Sequence, residues 1–572
     1  MSMTGQEYLA RFLHAYGVTH AFMVPTSFVA SSVEMDRLGI TVVSTHGEKA
    51  AAYMADGYAR VRGTPGVCHA QTIGAANLAA GLRDAYMGGS PVIALTGGRD
   101  PMTTYRHVYQ EIVDFPLFEQ VTKANFQLQD VRRAPDLLRQ AFREATTGAP
   151  GPVHLEVDGL SGNCLDGVLD VSAVIHEPRF AAAPAFRPGC SDAEILAFLE
   201  VLASAQRPVL VAGGGVTRSG AAAALLAVAE ALAIPVATSM NAKGTIDECS
   251  PLALGVVGSY SRASANRAVS EADLVCFVGS HAGSQVTDRW RLPEGQATRV
   301  VQIDLDPREL GRNYVGEAYL QGDARTILDA MHRLVATGTY PDRDGWISTV
   351  QAYVADWRRQ AAPNLTSEAV PMRPERVCGE IQRILPDDGV VVSDTGHAGI
   401  WTASMLDLRP GQTYLRCAGS LGWAFPAALG AQCGAPDRRV IAFTGDGGFY
   451  YHLAEVETAV RYNIPAIIVV NDNRALSQDL KPYRSAYGWE PTAAGDRMWM
   501  FEDLDLAAVA ASLGCRSVRA ETPRQLRDAL EAAMRVDGPV VIDAVTDVEA
   551  LPDPPYGGRD FYATPAAEAG TR

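Results

Sequence analysis

The sequence predicts an α/β protein of three doubly wound parallel-sheet domains, and three observations carry that expectation. Short apolar runs rich in β-branched residues alternate with helix-period segments along most of the chain. Several of these runs end in glycine turns that open a helix, as strand ends do in a sheet covered on both faces. A chain of 572 residues is also too long for one core, and length alone implies about three or four domains. The expected units are residues 1–165, 190–340 and 370–550, with a tail at 551–572.

Composition narrows the classes of function. Hydrophobic residues make up 47% of the chain and charged residues 20%, a balance suited to large buried cores. The net charge of −16 argues against nucleic acid and anionic membrane surfaces as partners. A small anionic ligand remains compatible, because local amides and a metal outweigh the global field. Nine cysteines without CxxC pairs read as free thiols in a reducing compartment. The N-terminus lacks a basic-then-apolar signal pattern, and the most apolar helix, residues 221–234, is stopped by Pro235. A cytoplasmic protein is expected.

In the first unit, a helix over residues 8–16 leads to strands near 21–24 and 40–44. A helix over 49–60 follows His46-Gly47-Glu48, then come strand 66–70, helix 77–87 and strand 91–96. Residues 181–188, AAAPAFRP, read as a linker. The second unit opens with PVLVAGGG and continues through strands at IPVATSM, ADLVCFVGS and VVQIDLDP. A second linker is expected over 337–374, before a helix at 375–384 and a strand at 390–393.

Residues 439–478 are the most informative stretch. Strand 440–444 runs into Gly445-Asp446-Gly447-Gly448, a helix is expected over 449–462, and strand 466–470 ends in Asn471-Asp472-Asn473. Glycines that open a helix after a strand offer free amides and a positive helix end to phosphate. If the two strands are neighbours, Asp446 and Asn473 lie side by side. Two hard oxygen ligands beside a phosphate site suit Mg2+, with the carbonyl of Ala475 completing the protein's share.

Asp446 and Asn473 are 27 positions apart. This spacing after a Gly-Asp-Gly turn resembles the cofactor signature of thiamine-diphosphate-dependent enzymes, with Asp472 in place of the first asparagine of the pair. Residues 48–60, EKAAAYMADGYAR, resemble the same family's glutamate-initiated helix ending GYAR. The resemblance covers nearly the whole chain and looks most like the acetolactate-synthase and 2-hydroxyacyl-CoA lyase branch. It implies an aminopyrimidine-binding domain, a central Rossmann-like domain and a diphosphate-binding domain. It also implies that Glu48 hydrogen-bonds the aminopyrimidine and promotes loss of the thiazolium proton. By the same resemblance Gln110 lines the cofactor–substrate interface, His397 donates to the diphosphate, the carbonyl of Gly419 accepts from the 4′-amino group, and Leu421 bends the cofactor. Gly447 and Gly448 would approach the diphosphate.

Three loops depart from the family pattern: Gly47 separates His46 from Glu48, Thr72-Ile73-Gly74 replaces Gly-Pro-Gly, and residues 23–26 read MVPT. They imply a substrate pocket unlike that of the commonest relatives. Arg106 and His107 are candidates for an anionic substrate, with solvated loop residues the equal alternative. Ser477, Gln478, Asp479 and Glu490 are further substrate candidates. Central domains of such enzymes hold FAD in some members, ADP in others and nothing in many. Gly213-Gly214-Gly215 is the segment concerned, and an empty structural domain is the favoured expectation.

The implied activity is magnesium-dependent decarboxylation or carboligation of a 2-oxo acid. The alternative is a 2-hydroxyacyl-CoA lyase or an oxalyl-CoA-type decarboxylase acting on an acyl-CoA substrate. The implied assembly is a homodimer or homotetramer with active sites at the subunit interface, without nucleic-acid or membrane partners. A nicotinamide or flavin oxidoreductase is a weaker reading, because no G-x-G-x-x-G is followed at the proper distance by a ribose-binding acid. A non-catalytic paralogue is disfavoured by Glu48, Asp446 and Asn473.

Overall fold

The computed structural model describes residues 2–293, 298–336, 338, 340–490 and 492–552. The predicted tail beyond Pro552 lies outside the described residues. Three parallel six-stranded sheets form, each flanked by helices. In the first, the order is Thr41–Ser44, His20–Met23, Gly66–Ala70, Val92–Gly97, Val153–Val157, Ala124–Leu128. The third repeats this order with Thr413–Arg416, Val390–Ser393, Val440–Gly445, Ile467–Asp472, Val540–Val545, Arg516–Ala520. The central sheet runs Ala253–Val256, Val236–Thr238, Pro208–Ala212, Leu274–Val278, Arg299–Asp304, Ala318–Gln321.

The central order reverses direction once and the other two reverse twice, and ligands in open α/β sheets sit where the strand order reverses. The crevice of the third sheet falls between Val390–Ser393 and Val440–Gly445, which pair in register from Val390↔Val440 to Ser393↔Phe443. That of the central sheet falls between Pro208–Ala212 and Leu274–Val278. Strands Val440–Gly445 and Ile467–Asp472 are almost wholly buried, which is why they read as continuous apolar runs.

The first and third domains share one core. Helix Glu48–Arg62 lies against helix Ala424–Gly434, and Tyr53, Met54 and Tyr58 are buried in the same cluster as Phe425 and Leu429. The backbones touch at two glycines. A Cβ on Gly57 would stand 2.0 Å from the Ala427 carbonyl oxygen, and one on Gly430 would stand 1.8 Å from that of Met54. Polar bonds close the same seam: Trp423 Nε1 donates to Asp56 at 2.9 Å, and Asp56 holds Arg60 through two bonds of 2.8 Å.

Two expectations change. The helix expected over 449–462 is split into Asp446–Tyr450 and Glu455–Arg461. The turn at Gly422 presses against the Gly448 carbonyl and the Tyr451 and His452 side chains at the break, so tertiary packing overrides helical propensity. The linker expected over 337–374 is largely helix Asp344–Leu365. Its first half buries Trp346 and Val350 in the central domain and its second half buries Ala361 in the third. No helix among the described residues is long and apolar enough to cross a membrane.

Gly430→Ala is expected to cost about 1–3 kcal/mol through overpacking of this seam, seen as a lowered midpoint of thermal unfolding. An unchanged midpoint would show that the helices can move apart without penalty.

Candidate active site

A cavity of about 110 Å3 opens at the crevice of the third sheet. It is lined by His397, Leu421, Asp446, Gly447, Gly448, Asn473 and Ala475, together with Asn471, Ser477 and Gln478. Strand pairing brings its two halves together: Gly445 sits opposite Asn471, so Asp446 follows one strand end as Asn473 follows the other. The Asp446 carboxylate accepts from Gly447 N at 2.7 Å and from Ala475 N at 3.0 Å, which fixes the second loop to the first. Burial, and the Asp472 carboxylate beside it, push Asp446 well above the usual carboxylate range. A carboxylate so placed is short of a positive partner.

Ser477 Oγ links two of these residues, accepting from Asn473 Nδ2 at 3.0 Å and pairing with His397 Nδ1 at 2.8 Å. Burial and Lys481 hold the His397 imidazole down to about 4, so at neutral pH it is uncharged, and its second ring nitrogen is Nε2. That nitrogen is buried without a partner among the described residues, as is Asn471 Oδ1. Two polar atoms left orphaned at one cavity are what a polar ligand would satisfy. Close packing requires glycine at both turn positions: a Cβ on Gly448 would lie 2.6 Å from Thr444 Oγ1, and one on Gly447 would lie 2.6 Å from Leu476.

Leu421 lines this cavity and also a wider cleft of about 760 Å3 shared with Gly419, Lys49, Arg83 and Tyr451. Its turn is held by two buried carboxylates. Asp394 accepts from Gly422 N at 3.1 Å, from Thr395 N at 2.8 Å and from Thr444 Oγ1 at 2.9 Å. Asp84, from the first domain, accepts from Ala418 N and from Ser420 N, the latter at 3.0 Å. Burial raises Asp394 to about 6, partly offset by its donors.

Glu48 and Gln110 are not among the residues lining the cavity or the cleft. Glu48 starts its helix and accepts from Asn77 Nδ2 at 3.1 Å, and its carboxylate fills the space that a Cβ on Gly74 would occupy. Gln110 has φ of +61°, and its Oε1 is buried without a partner among the described residues. Arg106 and His107 are exposed loop residues. Ser477 is engaged with His397 and Asn473, and Gln478 Nε2 donates to the hydroxyl of Tyr260 in the central domain at 3.2 Å. Asp479 and Glu490 are exposed.

Sequence reasoning missed Asn471, Asp84 and Tyr260. The first stood inside the strand-end triplet already in view. The other two reach the third domain from elsewhere in the chain, and no local pattern marks them.

Three family models match in order: the thiamine pyrophosphate enzyme N-terminal TPP binding domain over residues 3–117, the central domain over 195–331 and the C-terminal TPP binding domain over 394–544. The "Probable acetolactate synthase large subunit" of Methanocaldococcus jannaschii is 33% identical, over 97% of this chain and 94% of its own length. The protein of the same name from Methanococcus aeolicus is 31% identical with the same coverage. The "Acetolactate synthase" of Mycobacterium bovis is 28% identical over 96% of this chain and 89% of its own. With the two TPP-binding models falling on the domains that carry Glu48 and Asp446, the chain belongs to the thiamine pyrophosphate enzyme family and is an acetolactate-synthase-like, thiamine-diphosphate-dependent enzyme.

Proposed function

We propose that this enzyme breaks and remakes the C–C bond next to the carbonyl of a 2-oxo acid, as a magnesium-dependent decarboxylase/carboligase of acetolactate-synthase type. The observation that carries the reading is the cavity where Asp446, Asn473 and the orphaned His397 Nε2 meet beside Leu421. The names of the relatives point to the same reaction class. Bound thiamine diphosphate supplies an electron sink at its thiazolium ring.

The residues present suit that group and its metal. The Asp446 carboxylate, the Asn473 amide oxygen and the Ala475 carbonyl form a set of hard oxygen donors for Mg2+. His397 Nε2 would donate to a diphosphate oxygen, and the turn at Gly447 and Gly448 would present the backbone to the diphosphate. Leu421 would pack against the cofactor, and the Gly419 carbonyl would accept from its amino group. Glu48, which accepts from Asn77, would hold the proton shared with the aminopyrimidine. Gln110 would contact the substrate.

Glu48 lies apart from the cavity within one chain, so the reading includes a homodimer, or a tetramer of dimers, in which Glu48 serves the partner's cavity. Support comes from the loop that carries Gln110, where Met102, Tyr105 and Tyr109 are 81%, 89% and 78% exposed. The proposed compartment is the cytoplasm, supported by nine free cysteines. A cavity of about 370 Å3 at the central crevice, lined by Gly214, Gly279 and Ser280, is the place for ADP or FAD if either is held.

Product analysis by mass spectrometry, with thiamine diphosphate and magnesium supplied, tests the reaction. Carbon dioxide with a hydroxyketone or acetohydroxyacid from pyruvate is the expected result. Turnover of 2-hydroxyacyl- or oxalyl-CoA thioesters alone would replace it with the acyl-CoA reading. Asp446→Ala is expected to abolish magnesium-dependent cofactor binding in a calorimetric titration, and unchanged affinity would contradict the metal site. Glu48→Gln is expected to keep cofactor affinity while losing most turnover; full activity would remove Glu48 from the proton path.

A further inference from the structure

A second cavity, of about 270 Å3, lies where all three domains meet. It shares no lining residue with the diphosphate cavity. Arg60 and Arg62 reach it from the first domain, Arg218 from the second and Arg416 from the third. Arg60 is neutralised by Asp56 and donates a further bond of 2.6 Å to the Arg416 carbonyl.

The other three arginines have no carboxylate within ion-pair distance among the described residues. Arg218 Nη1 donates to the Gly88 carbonyl at 2.8 Å. Arg416 donates to the Cys417 carbonyl and, at 3.4 Å, to the Met240 sulfur. Arg62 stands over the Tyr58 ring, 5.8 Å from its centroid. Neutral acceptors satisfy donors without cancelling charge, so each guanidinium keeps its charge for an anion.

Arg218 is the clearest case. Many protein atoms surround it, yet its side chain remains exposed to solvent where it lines the cavity. Burial and the charge of Arg60 press it down to about 10, and Asp304 offsets only part of this. Three arginines without a carboxylate partner, one from each domain, line one cavity of a chain whose net charge is −16. Guanidinium forks match the oxygens of phosphate better than any point charge does. The volume falls below the roughly 300–1,000 Å3 of pockets for drug-sized ligands, so the occupant is compact.

We propose that this junction cavity binds a free phosphate-class anion, held by Arg62, Arg218 and Arg416, and that the bound anion ties the three domains together. The inference stands apart from the catalytic reading. It also differs from nucleotide binding in the adjoining central cavity, which shares Arg218 and Arg416 but not Arg62.

The test uses the full chain saturated with thiamine diphosphate and magnesium, so that the diphosphate cavity is filled. Inorganic phosphate is titrated against chloride at constant ionic strength while the unfolding midpoint is followed. A saturable rise is expected. Arg62→Ala and Arg218→Ala should each raise the half-saturating phosphate concentration at least about tenfold. Arg132→Ala, at an exposed arginine paired with Asp130, should respond as the unsubstituted protein does. Absence of a saturable rise, or an unchanged response in both cavity variants, would overturn the proposal. A second titration adds saturating ADP. A phosphate response that persists supports a separate site, whereas its loss, with ADP binding itself weakened by Arg62→Ala, assigns the cavity to a nucleotide's own phosphates and overturns it.

Discussion

The candidate active site depends on buried carboxylates that order backbone amides. Asp394 binds the amides of Thr395 and Gly422 and the Thr444 hydroxyl, so a single side chain ties both strands of the crevice to the turn that carries Leu421. Asp84 adds the amides of Ala418 and Ser420 from another domain. Asp446 does the same for Gly447 and Ala475. Each carboxylate is almost fully buried. Removing one would leave several amides unpaired in a dry environment, which is why these contacts set the shape of the cavity more firmly than apolar packing alone.

Topology supplies the rest of the arrangement. The first and third domains share a strand order, and each of the three sheets has a crevice where the order reverses. The third domain's crevice holds the acidic and amide donors, while the central one holds glycines and a larger cavity. Backbone contact between Gly57 and Ala427 fixes the first domain on the third. Glu48 starts the helix that makes this contact and is not among the residues lining its own chain's cavity.

Much of this was legible in the sequence because it is local. The alternation of apolar runs and helices, the Gly-Asp-Gly turn and the interval from Asp446 to Asn473 each lie within a few tens of residues. What escaped notice depends on distant partners. Asp84 meets residues 334 and 336 positions away, and nothing around it distinguishes it from an ordinary helix acid. The break between Tyr450 and Glu455 follows from the Gly422 turn, not from the helix's own residues. The link that Ser477 makes between Asn473 and His397 likewise depends on the folded loop.

Global charge is a poor guide to local sites here. The net charge of −16 coexists with an arginine-lined junction, and with a candidate active-site cavity lined by an uncharged imidazole and a glycine turn. The most direct test of the account is an experimental structure of the protein with thiamine diphosphate and magnesium bound. The account predicts diphosphate density within hydrogen-bond reach of His397 Nε2, metal density on Asp446 and Asn473, and a partner subunit's Glu48 at the aminopyrimidine. Cofactor density at another crevice, or an aminopyrimidine without a glutamate beside it, would contradict it.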